Sequence, residues 1–234
     1  MEGSLVPAPD TGAGTVGRSV AWGAMASPDD RPAPPEHYFS ADPSTPEARR
    51  TVTVRLRGRE VALQTSTGVF SPRGLDRGTS VLLENVPDPA GRELLDLGCG
   101  WGPVALAMAL AVPGARVTAV DVNERSLALT RDNAAALGLG TVEALRPEDV
   151  DPERRFGTIW SNPPIRIGKD ALHELLLLWL PRLAPGGTAW LVVQKNLGAD
   201  SLQKWLSGAL GEGFAVGRAT TDKGFRVLRV ERLP

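Results

Sequence analysis

Beyond Glu93, strand-like and helix-like segments follow one another in regular alternation. A chain so patterned has few ways to bury its apolar faces. The strands must lie side by side and mostly parallel, with helices packed on both faces of the sheet. Strands are expected at 93–97, 116–120, 141–145, 158–161 and 188–194, and helices at 101–112, 123–137, 169–183 and 199–210. Pro181 should break the third of these helices, and Pro185-Gly186-Gly187 should turn the chain into the strand after it. Two closing strands, 214–218 and 225–230, are joined by a Lys223-Gly224 turn, and a hairpin there places one antiparallel strand in the sheet. The pattern therefore predicts an α/β fold built on a mostly parallel seven-stranded sheet.

Two loops in this alternation carry chemistry. Asp96-Leu97-Gly98-Cys99-Gly100-Trp101-Gly102 lies between a strand and a helix, where glycines let the backbone turn tightly and approach a ligand. A dinucleotide site wants a third glycine at the position of Pro103, which also lacks an N–H for an anion. That argues for a nucleoside cofactor with no phosphate at the turn. Asp121, with Val122 and Asn123 after the next strand, is placed to accept from vicinal ribose hydroxyls. The second loop is Asn162-Pro163-Pro164-Ile165. Its prolines stop the preceding strand and push Asn162 onto a stiff turn at the carboxyl edge, the edge where ligands bind in open α/β sheets.

These residues carry a resemblance. Leu94 to Gly102, Val117 to Asn123 and Ser161-Asn162-Pro163-Pro164 resemble the S-adenosylmethionine site of class I methyltransferases, which have a Rossmann-like fold. Together with Gly68-Val69-Phe70-Ser71, Leu75-Asp76 and Gly78-Thr79, they resemble the "methyltransferase small domain" family, which includes the guanine-N2 methyltransferases of small-subunit ribosomal RNA. The resemblance runs from about His37 to the C-terminus. It implies S-adenosylmethionine as cofactor. Asp96 would anchor the amino-acid end, Leu97, Gly98, Cys99, Gly100 and Gly102 would pass beneath the methionine and ribose, and Asp121, Val122 and Asn123 would sit at the ribose. Glu148 or Asp149 would accept from the adenine amino group. Asn162, Pro163 and Pro164 would form the catalytic loop, with Phe70, Ile165 and Arg166 toward the substrate and Phe70 and Asp76 closing the site. Two departures stand out: Ile165 occupies a position that is aromatic in the family, and the chain has one such domain where one branch of the rRNA enzymes has two.

The implied reaction is methylation of the exocyclic N2 amine of a guanine in 16S ribosomal RNA, with ribosomal RNA or the small subunit as partner. Two other functions are open: methylation of a protein glutamine at N5, since Asn-Pro-Pro also occurs there, and a non-catalytic cofactor- or RNA-binding module. A net charge of −1 gives no global attraction to nucleic acid, so any RNA contact must use a local patch. Arg49, Arg50, Arg55, Arg57, Arg59, Arg73 and Arg77 suit either a phosphate-contacting face or a solvated edge strand.

Three segments are expected. Residues 1–35, rich in Gly, Ala, Pro and Ser and lacking the apolar surface to offset ordering, are expected to be a disordered tail, and Met25 offers a second start for translation. Residues 36–90 form an entry module with a β-hairpin over 51–64 and a short helix near 80–85, and 91–234 form the methyltransferase domain. The single cysteine excludes an internal disulfide and fits a reducing cytoplasm. With two histidines far apart, no metal-ligand cluster is expected. No apolar run nears the ~20 residues of a membrane span.

Overall fold

A computed structural model describes residue 1 and residues 45–234. The expected tail over 1–35 and the aromatic His37-Tyr38-Phe39-Ser40 lie outside the described residues. The described chain opens with a ribbon of β1 (Arg49–Leu56) and β2 (Arg59–Ser66), paired antiparallel from Arg49↔Ser66 to Leu56↔Arg59. Its two-residue turn, Arg57-Gly58, has φ of 49° and 82°, the left-handed pair that matches the twist of a hairpin. Helix α1 (Arg77–Asn85) follows, capped by Asp76. It starts three residues earlier than the sequence pattern suggests, because Asp76 accepts from the Gly78 and Thr79 N–H groups.

Next come β3 (Glu93–Leu97), α2 (Pro103–Ala111), β4 (Arg116–Val120), α3 (Glu124–Ala136) and β5 (Val142–Leu145). The chain then crosses to β6 (Phe156–Ser161), α4 (Lys169–Trp179), β7 (Leu183–Gln194), α5 (Ala199–Ala209), β8 (Phe214–Asp222) and β9 (Phe225–Arg232). The second sheet has the order β5-β4-β3-β6-β7-β9-β8. All its neighbours pair parallel except β7 with β9 and β8 with β9, so β9 alone runs backwards. The β8–β9 turn is Lys223-Gly224, with φ of 48° and 85°, as its sequence required.

Two expectations are corrected. The helix expected over 169–183 ends at Trp179, because Pro181 cannot supply an N–H; a single 3₁₀ turn, Leu180–Arg182, follows and Leu183 already belongs to β7. The Pro185-Gly186-Gly187 turn does not precede the strand but lies within it. β7 pairs with β6 at Phe156↔Leu183 and again at Thr158↔Thr188, so the intervening residues bulge out. Gly187 lets the bulge close: a Cβ there would sit 2.8 Å from the Ala184 carbonyl and 2.9 Å from that of Phe156.

The core has two layers divided by the sheet. Leu94, Trp160 and Val192 face α1, α2 and α3, and Leu95, Ile159 and Leu191 face α4 and α5. The ribbon's Val54, Leu56 and Leu63 share the first layer with Trp101 and Val104. Several side chains tie the ribbon to α3 and to the end of α1. Asn133 exchanges hydrogen bonds with the backbone of Gln64 (2.7 and 2.8 Å), and Arg57 donates to the Leu83 and Val86 carbonyls at the end of α1 and to Asp88. No described helix is long and apolar enough to cross a membrane.

Candidate active site

The strand order reverses at β3, with β4 and β5 on one side and β6 on the other. Crevices open at such a switch point, off the carboxyl ends of the strands. Leu97 pairs with Val120 on one side and Ser161 on the other, all in parallel strands, so the glycine loop, Asp121 and the Asn162 loop leave by the same edge. Backbone bonds hold them together: Gly98 and Cys99 donate to the Val120 carbonyl (2.8 and 2.9 Å), and Ser161 Oγ donates to that of Leu97 (2.7 Å). The glycine loop ends at Gly102, with φ +96°, where a Cβ would lie 2.9 Å from Thr130 Oγ1.

Two carboxylates sit under this edge. Asp96 is buried in β3; its Oδ2 accepts from the Ala105 N–H at 2.8 Å and its Oδ1 has no partner. Burial, reinforced by the charge of Asp121, pushes its pKa up to about 8. Asp121 accepts from Gly100 N–H and Asn123 N–H, each at 2.9 Å. Burial raises its pKa as well, against those bonds. These bonds do not exhaust the acceptor capacity of its two oxygens. Cys99 is buried beside Thr130, 3.7 Å from its hydroxyl, and burial raises its thiol pKa; it has the surroundings of a packing residue, not of a nucleophile.

Asn162 holds the opposite side. Its Nδ2 donates to Asp76 Oδ2 at 3.0 Å and to Thr79 Oγ1 at 3.1 Å. Pro163's carbonyl accepts from the Ile165 N–H at 2.8 Å, which closes the loop tightly.

Between these loops lies a cavity of about 260 Å³, near the lower end, ~300 Å³, of small-molecule pockets. Its wall includes Leu97, Gly98, Gly100, Asp121 and Val122 from the cofactor set, and Asn162, Pro163, Pro164, Ile165, Arg166 and Phe70 from the catalytic and substrate sets. Cys99 lines a smaller adjoining recess with Asp76, Thr79 and Asn162. Asp96, Gly102 and Asn123 stand behind the wall. Asn123 caps α3 through the Ser126 N–H and donates to the Gly68 carbonyl, fixing the entry loop. Glu148 and Asp149 are exposed on a 3₁₀ turn outside the wall, which takes Pro147 instead. Sequence reasoning missed Val192, Gln194, Leu197 and Phe225, which also line the cavity. Gln194 ends β7 at the same edge, a position the strand-end rule could have flagged. Phe225 pairs with Gln194 because β9 is reversed, and nothing local signals that. Phe225 and Phe70 give the cavity the aromatic character that Ile165 does not. Among the described residues, no group of three or more His, Cys, Asp or Glu could hold a metal ion.

A cavity at the switch point, floored by a glycine loop and the Asp121 carboxylate, with Asp96 behind them, and faced by a fixed carboxamide, defines a nucleoside-cofactor transferase of the class I type. A sequence profile of the methyltransferase small domain family matches residues 60–229. The chain is 31% identical over 202 residues to the uncharacterized Bacillus subtilis protein YbxB, covering 85% of this chain and 99% of that one. It is 36% identical to the Ribosomal RNA small subunit methyltransferase C of Chromohalobacter salexigens, covering 78% of this chain and 54% of that protein. Among solved structures, the Thermus thermophilus 16S rRNA N2 G1207 methyltransferase RsmC, in complex with AdoMet and guanosine, superposes with a TM-score of 0.69 at 28% identity, covering 81% of this chain and 52% of RsmC. The chain thus spans about half the length of the methyltransferase C relatives and nearly all of YbxB. The chain belongs to the methyltransferase small domain family, and the RsmC structure it superposes on is in complex with AdoMet. The residues fit that molecule: Asp121 lines the cavity and keeps lone pairs for a ribose diol, and Asp96 Oδ1, behind the wall, is a buried oxygen with no partner.

Proposed function

We propose that this protein methylates the exocyclic N2 amine of a guanine in small-subunit ribosomal RNA. The observation that carries the proposal is the Asn162 carboxamide. Both of its N–H groups are taken by Asp76 and Thr79, so its Oδ1 is the group left to meet a donor in the cavity. An exocyclic amine is a donor. RsmC, whose structure holds guanosine, is the relative that bears on the choice of base.

Bound in the cavity, the cofactor supplies a methyl group on a sulfonium, an electrophile that needs a lone pair in line and no acid. Gly98, Gly100, Asp96 and Asp121 would hold it, with Val122 and Pro147 against the flat ring. The guanine amine is a poor nucleophile because its lone pair is delocalised into the base. Asn162 Oδ1 accepts one N–H and favours a more tetrahedral nitrogen, and the Pro163 carbonyl keeps a second lone pair, beside its bond to Ile165, for the other N–H. Asn162 has no proton-accepting state at neutral pH, so the amine's surplus proton leaves to water after transfer. The chain's contribution is alignment and fixed dipoles. The target base must leave its stack to enter, with Phe70 and Phe225 as apolar walls.

In a strain lacking the gene, mass spectrometry of small-subunit rRNA nucleosides should show one N2-methylguanosine lost, restored by the wild-type gene and not by Asn162→Ala. Unchanged guanine methylation would reject the proposal.

A further inference from the structure

The entry segment contributes more than a wall. Asp76 Oδ2 accepts three N–H groups: Gly78 N at 2.7 Å, Thr79 N at 3.3 Å and Asn162 Nδ2 at 3.0 Å. The first two cap α1. The third crosses from the entry segment to the β6 loop, between residues 86 apart in sequence. A capping aspartate needs no such contact, and Asn162 is reached by the same oxygen that makes the cap.

A carboxylate offers only acceptors. An amide facing one must present its NH₂, because the opposite rotation sets two lone-pair-bearing oxygens against each other. The Thr79 hydroxyl takes the second N–H at 3.1 Å, and Thr79 is buried. With both hydrogens used, the planar carboxamide can only turn its oxygen away from Asp76. Space is shaped for the pair as well. A Cβ at Gly78 would lie 3.0 Å from Asp76 Oδ2 and 3.3 Å from Asn162 Nδ2, so a side chain there would press on both groups. Asp76 also stands at the rim, lining the cavity and the recess beside it.

We propose that Asp76 is a positioning residue for methyl transfer: through the oxygen that caps α1 it sets the rotation of the Asn162 carboxamide, so that an acceptor and not a donor faces the incoming amine. This deepens the function proposed above and rests on it. The requirement is an acceptor at the Oδ2 position, not a negative charge. Asparagine at 76 meets it, since its own Oδ1 can accept all three N–H groups. Serine at 76 caps a helix well but is one atom too short to reach Asn162.

The test uses the full chain, S-adenosylmethionine, and small ribosomal subunits from a strain lacking the gene. For Asp76→Ser, kcat should fall roughly 10- to 100-fold, the range for removing a hydrogen bond to a charged group. The Kd for S-adenosylmethionine should stay within about twofold and Tm near wild type, because the cap remains. Asp76→Asn should rescue kcat to within about threefold of wild type. In ¹H–¹⁵N spectra the Asn162 side-chain amide pair, assigned by its absence in Asn162→Ala, should shift toward solvent-exposed values in Asp76→Ser and keep its place in Asp76→Asn. Wild-type kcat in the serine variant overturns the inference, as does an unmoved amide pair. An asparagine variant as slow as the serine one also overturns it, by showing that charge is what matters. Asn162→Ala separates the levels: if it still methylates the subunits, the function proposed for the site fails; if it is inactive while Asp76→Ser is not, only the positioning role fails.

Discussion

Asp96 has two carboxyl oxygens inside the domain and one hydrogen bond, from Ala105, to share between them. Desolvation disfavours its charge, so its pKa rises from an ordinary 3.8 to about 8. Between those values the folded chain holds a proton that the unfolded chain has lost, so stability falls as pH rises. The contribution of the neutral carboxyl is fully present below about pH 4 and gone above about pH 8. Asp96→Asn keeps the acceptor for Ala105 and removes the titration. Thermal melts at constant ionic strength should show wild-type Tm declining relative to the variant from pH 4 to pH 8; parallel curves would refute the assignment. At this scale much of the site was legible. Glycines, prolines and an asparagine announce themselves because few other residues do what they do to a backbone. Gln194 and Phe225 did not, since a polar strand end and an apolar strand start are unremarkable until pairing makes them neighbours.

Among the elements, the loop of the strand–loop–helix unit β3–α2 meets α3 at one tight contact. Gly102 has φ +96°, and any Cβ would press on Thr130, whose Oγ1 already donates to the Gly100 carbonyl at 3.0 Å. Gly102→Ala should therefore cost about 1–3 kcal/mol from backbone strain alone. Urea titration should show that loss partly relieved by adding Thr130→Ala, which makes room for the methyl; strict additivity would count against the contact. Most elements could be read from the chain, since period, caps and breakers are local: Asn123 starts α3, Gly138 follows it, and Lys223-Gly224 makes the β8–β9 hairpin. The exception was β7. Pro185-Gly186-Gly187 reads as a turn in any setting, and only the register against β6 makes it a bulge inside one strand.

For the molecule as a whole, charge sets the terms of the proposed RNA binding. The net charge is −1, so attraction must come from particular cations near the cavity. Arg49 and Arg57 are occupied within the fold, Arg49 by Glu47 and Asp132 and Arg57 by α1 and Asp88. Arg166 is exposed, lines the cavity, and makes no ion pair with a described residue. Arg166→Ala should weaken binding of single-stranded RNA to a similar degree across sequences and lower the slope of log K against log salt by about 0.7. An unchanged slope in filter-binding titrations would remove Arg166 from the RNA-facing surface.

By itself the sequence determined the alternation that yields the sheet, the glycine turn after β3 and the asparagine on its proline stop, because each depends on neighbours a few bonds away. The tertiary structure alone decided that Asp76 and Thr79 hold that asparagine, that a reversed β9 brings Phe225 to the cavity, and that Glu148 and Asp149 stay outside it. Those outcomes follow from strand order and packing between distant segments, where free energy is gained only once the whole sheet has formed.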